Sequence, residues 1–265
     1  MNETNTANNP LVVKFELPQV VNETLTPLAT AIGDTLATGW KGLTIGIDTW
    51  YGKKQIEHDI NLVEYRNSIQ TGLSSIPQEN LQEPKMSILG PSLEASKYYF
   101  EEEQYREMFS KLIASTCDNR KNKHIHSCFV EIIKQMDPKD AVLLKEFIND
   151  KTQPVVEYNV KTPNGYRTYL TNVYLSENES HELTYYSPSL VNLERLGLVK
   201  INLVNYLYDI EIYKRYENHP EYLSSKEYFK NVNDPSLGEN PNLYITKGFA
   251  YLTSLGEDFI KVCVQ

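Results

Sequence analysis

Cysteine is scarce in this chain: Cys117, Cys128 and Cys263 are its only three in 265 residues. Three thiols cannot all pair, which excludes a disulfide framework and fits a reducing compartment. Glycine is thin as well, with 12 residues against 19 tyrosines, so tyrosine carries much of the packing or contact surface. Basic charge is in deficit: 26 Lys and Arg against 35 Asp and Glu leave a net charge of −9. A general nucleic-acid binder needs clustered Lys and Arg to neutralise phosphates, so that class is disfavoured. No uncharged run reaches the ~20 apolar residues of a constitutive membrane span. The opening MNETNTANNP lacks the basic and apolar regions of a secretory signal. These absences point to the cytoplasm, with a place at the inner face of the membrane left open. Also missing are G-x4-G-K-S/T, G-x-G-x-x-G, G-x-S-x-G, H-E-x-x-H and C-x-x-C. No catalytic residue, cofactor or small-molecule substrate is therefore assigned, and the chain reads more readily as a non-enzyme.

What is present is ordinary globular material, 40% hydrophobic and 23% charged, enough for one large domain or two small ones. The expected class is mainly α with a smaller α+β part. A disordered tail over 1–10 precedes a helical domain over 11–150 and a winged-helix-like α+β domain over 151–265. Leu25, Ala29, Ile32, Leu36, Trp40, Leu43, Ile47 and Trp50 recur in steps of three and four, which is helical. Gly33, Gly39, Gly42 and Gly46 lie in the same segment, each costing a helix roughly 1 kcal/mol against Ala. The structural reading makes Leu36, Gly39, Trp40, Gly42 and Gly46 a close helix-packing stripe. The functional one makes them a segment that lies on or enters a membrane.

A second helix is expected over 48–73. Ser75 and Gln78 have capping-box spacing with Pro77 early in a turn, another helix starts near Gly90-Pro91, and Glu101–Glu103 stands at the start of the next. A helix follows from about Ser127, then one opened by Asp137-Pro138. Beyond Thr152 the pattern alternates, with Pro163-Asn164-Gly165 as a hairpin turn. A helix from Ser187-Pro188 stops at Gly197, a strand is expected over 198–213, and 217–241 reads as a long loop with one helical turn near Tyr228. A strand over 245–252 and a short helix capped by Thr253 or Ser254 end the chain.

Cys117, His124, His126 and Cys128 form C-x6-H-x-H-x-C. Four N and S donors suit tetrahedral zinc, but this spacing is not one of the common ones. Alternate residues converge only on an extended strand, whereas Cys128 falls where a helix begins. Structural packing is the preferred reading over a zinc site or a Cys–His catalytic pair.

Three segments in order carry a resemblance: Ile76–Asn80 (I-P-Q-E-N), Gly90–Ala95 (G-P-S-L-E-A) and His126–Gln135 (H-S-C-F-V-E-I-I-K-Q). They resemble the abortive infection alpha (Abi-alpha) family of bacterial and prophage proteins. The residues on those motifs are Pro77, Glu79, Asn80, Gly90, Pro91, Glu94, His126, Phe129, Glu131, Lys134 and Gln135. The resemblance implies a role in phage resistance and transfers no chemistry. The expected function is defence through protein or membrane contact, with a protein partner or self-association. The alternative is a winged-helix regulator of prophage or defence genes reading DNA through Arg195 and Lys200. Residues 151–265 hold 11 Lys and Arg against 14 Asp and Glu, which makes nucleic acid the weaker partner.

Overall fold

The computed structural model of the protein describes residues 15, 27–51, 55–176, 182–238 and 241–265. The tail over 1–10 and Leu25 lie outside them. Internal contacts divide the chain into two compact units, Met1–Pro138 with Asp258–Gln265, and Lys139–Glu257.

The first unit is helical. α1 (Pro27–Tyr51) buries Ala29, Ile32, Leu36, Trp40 and Leu43, the expected stripe. α2 (Gln55–Ser74) answers with Leu62, Tyr65, Ile69 and Leu73. The Trp40 ring stands between Phe15 and Tyr65, with centroids 5.9 and 5.6 Å away. Burying the Tyr65 hydroxyl would leave a polar group unsatisfied; Ser96 meets it at 2.6 Å, and desolvation pushes the phenol upward despite that bond.

The expected capping box does not form, because the Ser75 hydroxyl donates back to the Gly72 carbonyl at 2.7 Å and Gln78–Asn80 is a tight turn without a side-chain cap. α3 (Met86–Tyr99) begins ahead of the expected Gly90-Pro91 and carries Pro91 inside it. α4 (Glu103–Thr116) starts on the acidic run as expected, and α5 (Phe129–Gln135) buries Phe129, Val130, Ile132 and Ile133.

The second unit is built on a four-stranded antiparallel sheet. It takes in most of α6 (Pro138–Lys145), β1 (Thr152–Thr162) and β2 (Gly165–Val173). Then follow α7 (Ser187–Arg195), β3 (Val199–Asn202), the short α8 (Lys214–Glu217), α9 (Pro220–Asn231) and β4 (Leu243–Leu252). The strand order is β2-β1-β4-β3. β1 and β2 pair from Thr162↔Gly165 outward around the Pro163-Asn164 turn. α7 ends before Gly197, whose φ of 74° is the left-handed conformation that a helix terminus asks of glycine. α10 (Ser254–Phe259) is capped by the Thr253 hydroxyl, which accepts from Gly256 N–H at 3.0 Å.

Two expectations are corrected here. The strand over 198–213 stops at Asn202, because the Asn202 side chain accepts the N–H groups of Val204 and Asn205, both at 2.9 Å, turning the chain out of the ladder. The stretch over 217–241 is no long loop. It holds the twelve-residue α9, opened by His219 and Pro220. With α8 it lays Tyr213, Tyr216, Tyr222 and Leu237 over Val156, Tyr158, Val160 and Leu243 of the sheet. The tyrosine hydroxyls find backbone acceptors: Tyr213 on Gly248 O and Tyr216 on Pro154 O, both at 2.6 Å. Tyr158 and Tyr222 stack at 4.9 Å.

Candidate functional site

The stretch from Cys117 to Cys128 does not close on itself. Cys117 ends α4 with its sulfur buried beside the Thr116 hydroxyl, and burial pushes the thiol up to about 12. Cys128 is exposed at the start of α5. The two imidazoles turn instead to a residue far along the chain. His124 Nδ1 lies 2.6 Å from Asp258 Oδ1, and His126 Nε2 lies 3.2 Å from Asp258 Oδ2. Lys261 Nζ stands 3.8 Å from the same carboxylate. Burial raises the Asp258 carboxyl, but the hydrogen bonds from His126 and His124 and the charges of His124 and Lys261 outweigh it and hold the group below its ordinary value. Among the described residues, no group of three or more His, Cys, Asp or Glu is placed to hold a metal ion.

This cluster fastens the C-terminal turn onto the helical unit. The last carbonyls of a helical segment lack partners of their own. Here Ser115 donates to Val262 O at 3.1 Å, Lys111 to Val264 O at 2.6 Å, and Lys121 to Lys261 O. Phe259 packs edge-on against Phe129 at 5.1 Å, and His126 against Phe129 at 5.2 Å. The first motif is stitched to the same loop: Asn80 donates to Asn119 at 3.1 Å, Gln82 exchanges bonds with Asn122, and Leu81 bridges to Asp118. Pro77 and Glu79 lie in the adjoining turn. Farther along α5, Glu131 and Lys134 pair at 3.0 Å, and Gln135 ends the helix.

The other feature is a groove of about 510 Å3 between α1 and α3, lined by Asp34, Thr35, Thr38, Gly39, Gly42 and Leu43 on one side and Met86, Leu89, Gly90, Leu93, Glu94 and Lys97 on the other. It joins two sets of residues singled out in the sequence, the glycine stripe and the G-P-S-L-E-A motif. Their glycines differ in kind. At Gly39 an added Cβ would stand 2.5 Å from Leu93 Cδ1, so the movable end of Leu93 would have to swing aside. At Gly42 and Gly90 an added Cβ meets nothing within 4 Å. Each of these costs its helix about 1 kcal/mol against alanine and gains no contact. Leu43, Leu89 and Leu93 are buried at its floor, and Met86 is 62% exposed. Lys97 is tied to Glu94 at 2.5 Å. Pro91 sits on α3. Leu36 and Trp40 face the core, and Gly46 lies on the last part of α1.

In the sheet unit, Arg195 is folded onto Asn192 Oδ1 at 2.9 and 2.7 Å, and Glu194 accepts from Ile201 N–H at 2.9 Å. Lys200 is exposed on β3. The outer side of α7 shows Pro188, Val191, Glu194 and Arg195, a mixed surface without a basic stripe. Asp258 is the site residue that sequence reasoning missed. Its signal was the Glu257-Asp258 pair ahead of the apolar residues that end the chain, with Lys261 one turn on.

No described helix is long and apolar enough to cross a membrane. A family model described as abortive infection alpha matches residues 57–263, most of the chain. No curated protein and no solved structure matches it.

Proposed function

The chain belongs to the abortive infection alpha family, and we propose that it resists phage by seating a helix of a protein partner in the groove between α1 and α3, without catalysis. The observation that carries this is the pair Gly42 and Gly90, which weaken two helices and leave open space in the groove they line. A partner helix recognises such a groove through side chains spaced three and four apart, and glycine faces let its backbone approach closely. The exposed thioether of Met86 adapts to an incoming apolar face.

Cells expressing the chain are challenged with phage at low and high multiplicity, and plaques and culture survival are scored. The unaltered chain gives protection at low multiplicity and culture collapse at high multiplicity. Gly42→Leu and Gly90→Leu keep the protein folded and abolish protection. Full protection by both variants overturns the reading. We place the protein in the cytoplasm, including the inner face of the membrane. The run of α7, β3 and β4 supports a winged-helix-like reading of the sheet unit, and the mixed, non-basic exposed side of α7 speaks against DNA as its partner.

A further inference from the structure

We infer that the chain associates head to tail with copies of itself, an aromatic loop at one edge of the sheet entering an aromatic groove at the other. This goes beyond the groove between α1 and α3 and stands on the sheet unit alone. The loop follows β3. Val204 is 90% exposed and Tyr208 fully so, with Tyr206 and Ile210 exposed between and after them. Four large apolar side chains in seven residues at the surface are unusual for a loop that meets only water. They are also held in place. Asn202 fixes the start of the loop through Val204 and Asn205 N–H, the Tyr213 hydroxyl accepts from Leu207 N–H at 3.1 Å, and Asp209 accepts from Glu211 N–H at 3.0 Å. A pre-ordered loop loses little entropy on docking.

The receiving groove, about 340 Å3, lies beside β2, where Tyr169, Tyr228 and Phe229 form an aromatic wall and Arg167 and Asp234 stand beside it. Phe229 touches both tyrosines edge-on, at 5.0 and 5.3 Å, and both tyrosines are exposed. Edge-to-face packing is how aromatic rings prefer to meet, so the wall suits further tyrosines. Arg167 is exposed at the groove, where its charge already acts on Asp234, and Asp209, between Tyr208 and Ile210, brings a second carboxylate that the guanidinium can take.

Topology makes the contact intermolecular. In the order β2-β1-β4-β3 the loop leaves one edge strand and the groove borders the other, three strand spacings or roughly 14 Å away. Pinned by the bonds that order it, the loop places none of residues 204–210 in the lining of its own groove. Plug and groove are different surfaces, so each added copy leaves a fresh plug and a fresh groove, and growth continues unless the rotation closes a ring. The groove is small, about 340 Å3, and takes only part of the loop, so the contact falls below the size of a stable specific interface. The association is therefore weak, and it forms where copies are concentrated.

The test is sedimentation velocity on the full chain across a hundredfold range reaching high micromolar concentration. The average mass should rise past two 30.6 kDa copies. Tyr208→Ser, on the plug, and Arg167→Glu, on the groove, should each weaken association at least tenfold. Neither side chain is in a core, so folding is unaffected. Mixing the two variants leaves one good plug and one good groove, and should give a dimer that grows no further. Asp209→Arg with Arg167→Asp in one chain should restore growth. A monomer throughout the range, or association unchanged by Tyr208→Ser, overturns the inference. So does loss of phage protection by Tyr208→Ser in a chain that is monomeric throughout, because the loop then serves a different protein. Mass is read without phage, so this result and the failure of the α1–α3 groove reading are separable.

Discussion

Asp258→Asn keeps the size of the side chain but removes its charge and one of the two acceptors that the imidazoles use. The 2.6 Å bond to His124 joins side chains 22% and 21% exposed, whereas the 3.2 Å bond to His126 meets a ring that is 43% exposed. A hydrogen bond to a charged group contributes about 1.5–3 kcal/mol when sheltered and less where water competes. The substitution should therefore cost about 2 kcal/mol, or about 4–8 °C in Tm for a unit of this size. His124→Ala should cost more than His126→Ala. The acid dependence has a definite sign. The folded Asp258 carboxyl lies below its ordinary 3.8, so its contribution is complete above that pH and is lost as pH falls through the lowered folded value. Thermal unfolding of the full chain, followed by circular dichroism from neutral pH into acid, reads both effects. The gap between wild type and Asp258→Asn should close in acid. A gap below about 0.5 kcal/mol at neutral pH, or one that widens in acid, refutes the reasoning.

Other outcomes follow from the same geometry. Gly42→Ala and Gly90→Ala should each raise stability by about 0.5–1 kcal/mol, measured by urea unfolding, because neither added methyl meets a neighbour. Under native conditions a maleimide should label Cys128 alone. Cys117 and Cys263 are buried, with the Cys117 thiol pushed up to about 12; mass spectrometry of the peptides checks this. Tyr216→Phe should cost about 1–3 kcal/mol. It removes the bond to Pro154 O at 2.6 Å and leaves the buried Leu175 N–H without its acceptor at 3.3 Å, again read by urea unfolding.

Local chemistry made much of this fold legible. The stripe from Ala29 to Leu43, the Pro163-Asn164-Gly165 turn, the stop at Gly197 and the Thr253 cap each depend on residues within a few positions of one another, and each appears where its pattern places it. Some misreadings are local, as where the Asn202 side chain cuts the strand short; the larger ones fall where distant groups decide. α9 carries Pro220, Ser224 and Ser225 and shows little apolar periodicity, because Tyr222 alone among its residues is buried. It is held by the sheet beneath it and not by propensity. The strand after Leu198 looked long because its alternation continues through Tyr208, yet beyond Asn202 that alternation belongs to a loop with Val204, Tyr206 and Tyr208 exposed. The C-terminal turn gave no sign that it returns to the helical unit, since the bonds from Lys111, Ser115, Lys121 and His124 span 134 to 153 residues. In the groove, the glycines and the G-P-S-L-E-A segment were visible separately. Their juxtaposition required α1 and α3 to pack.

The most direct test of the account is phage protection by Gly42→Leu and Gly90→Leu, expressed at matched levels and shown by thermal unfolding to be as stable as the parent. Side chains filling the space between α1 and α3 should abolish protection while leaving the fold intact. Plaque counts as low as those with the unaltered chain would contradict the claim that this groove does the work of defence.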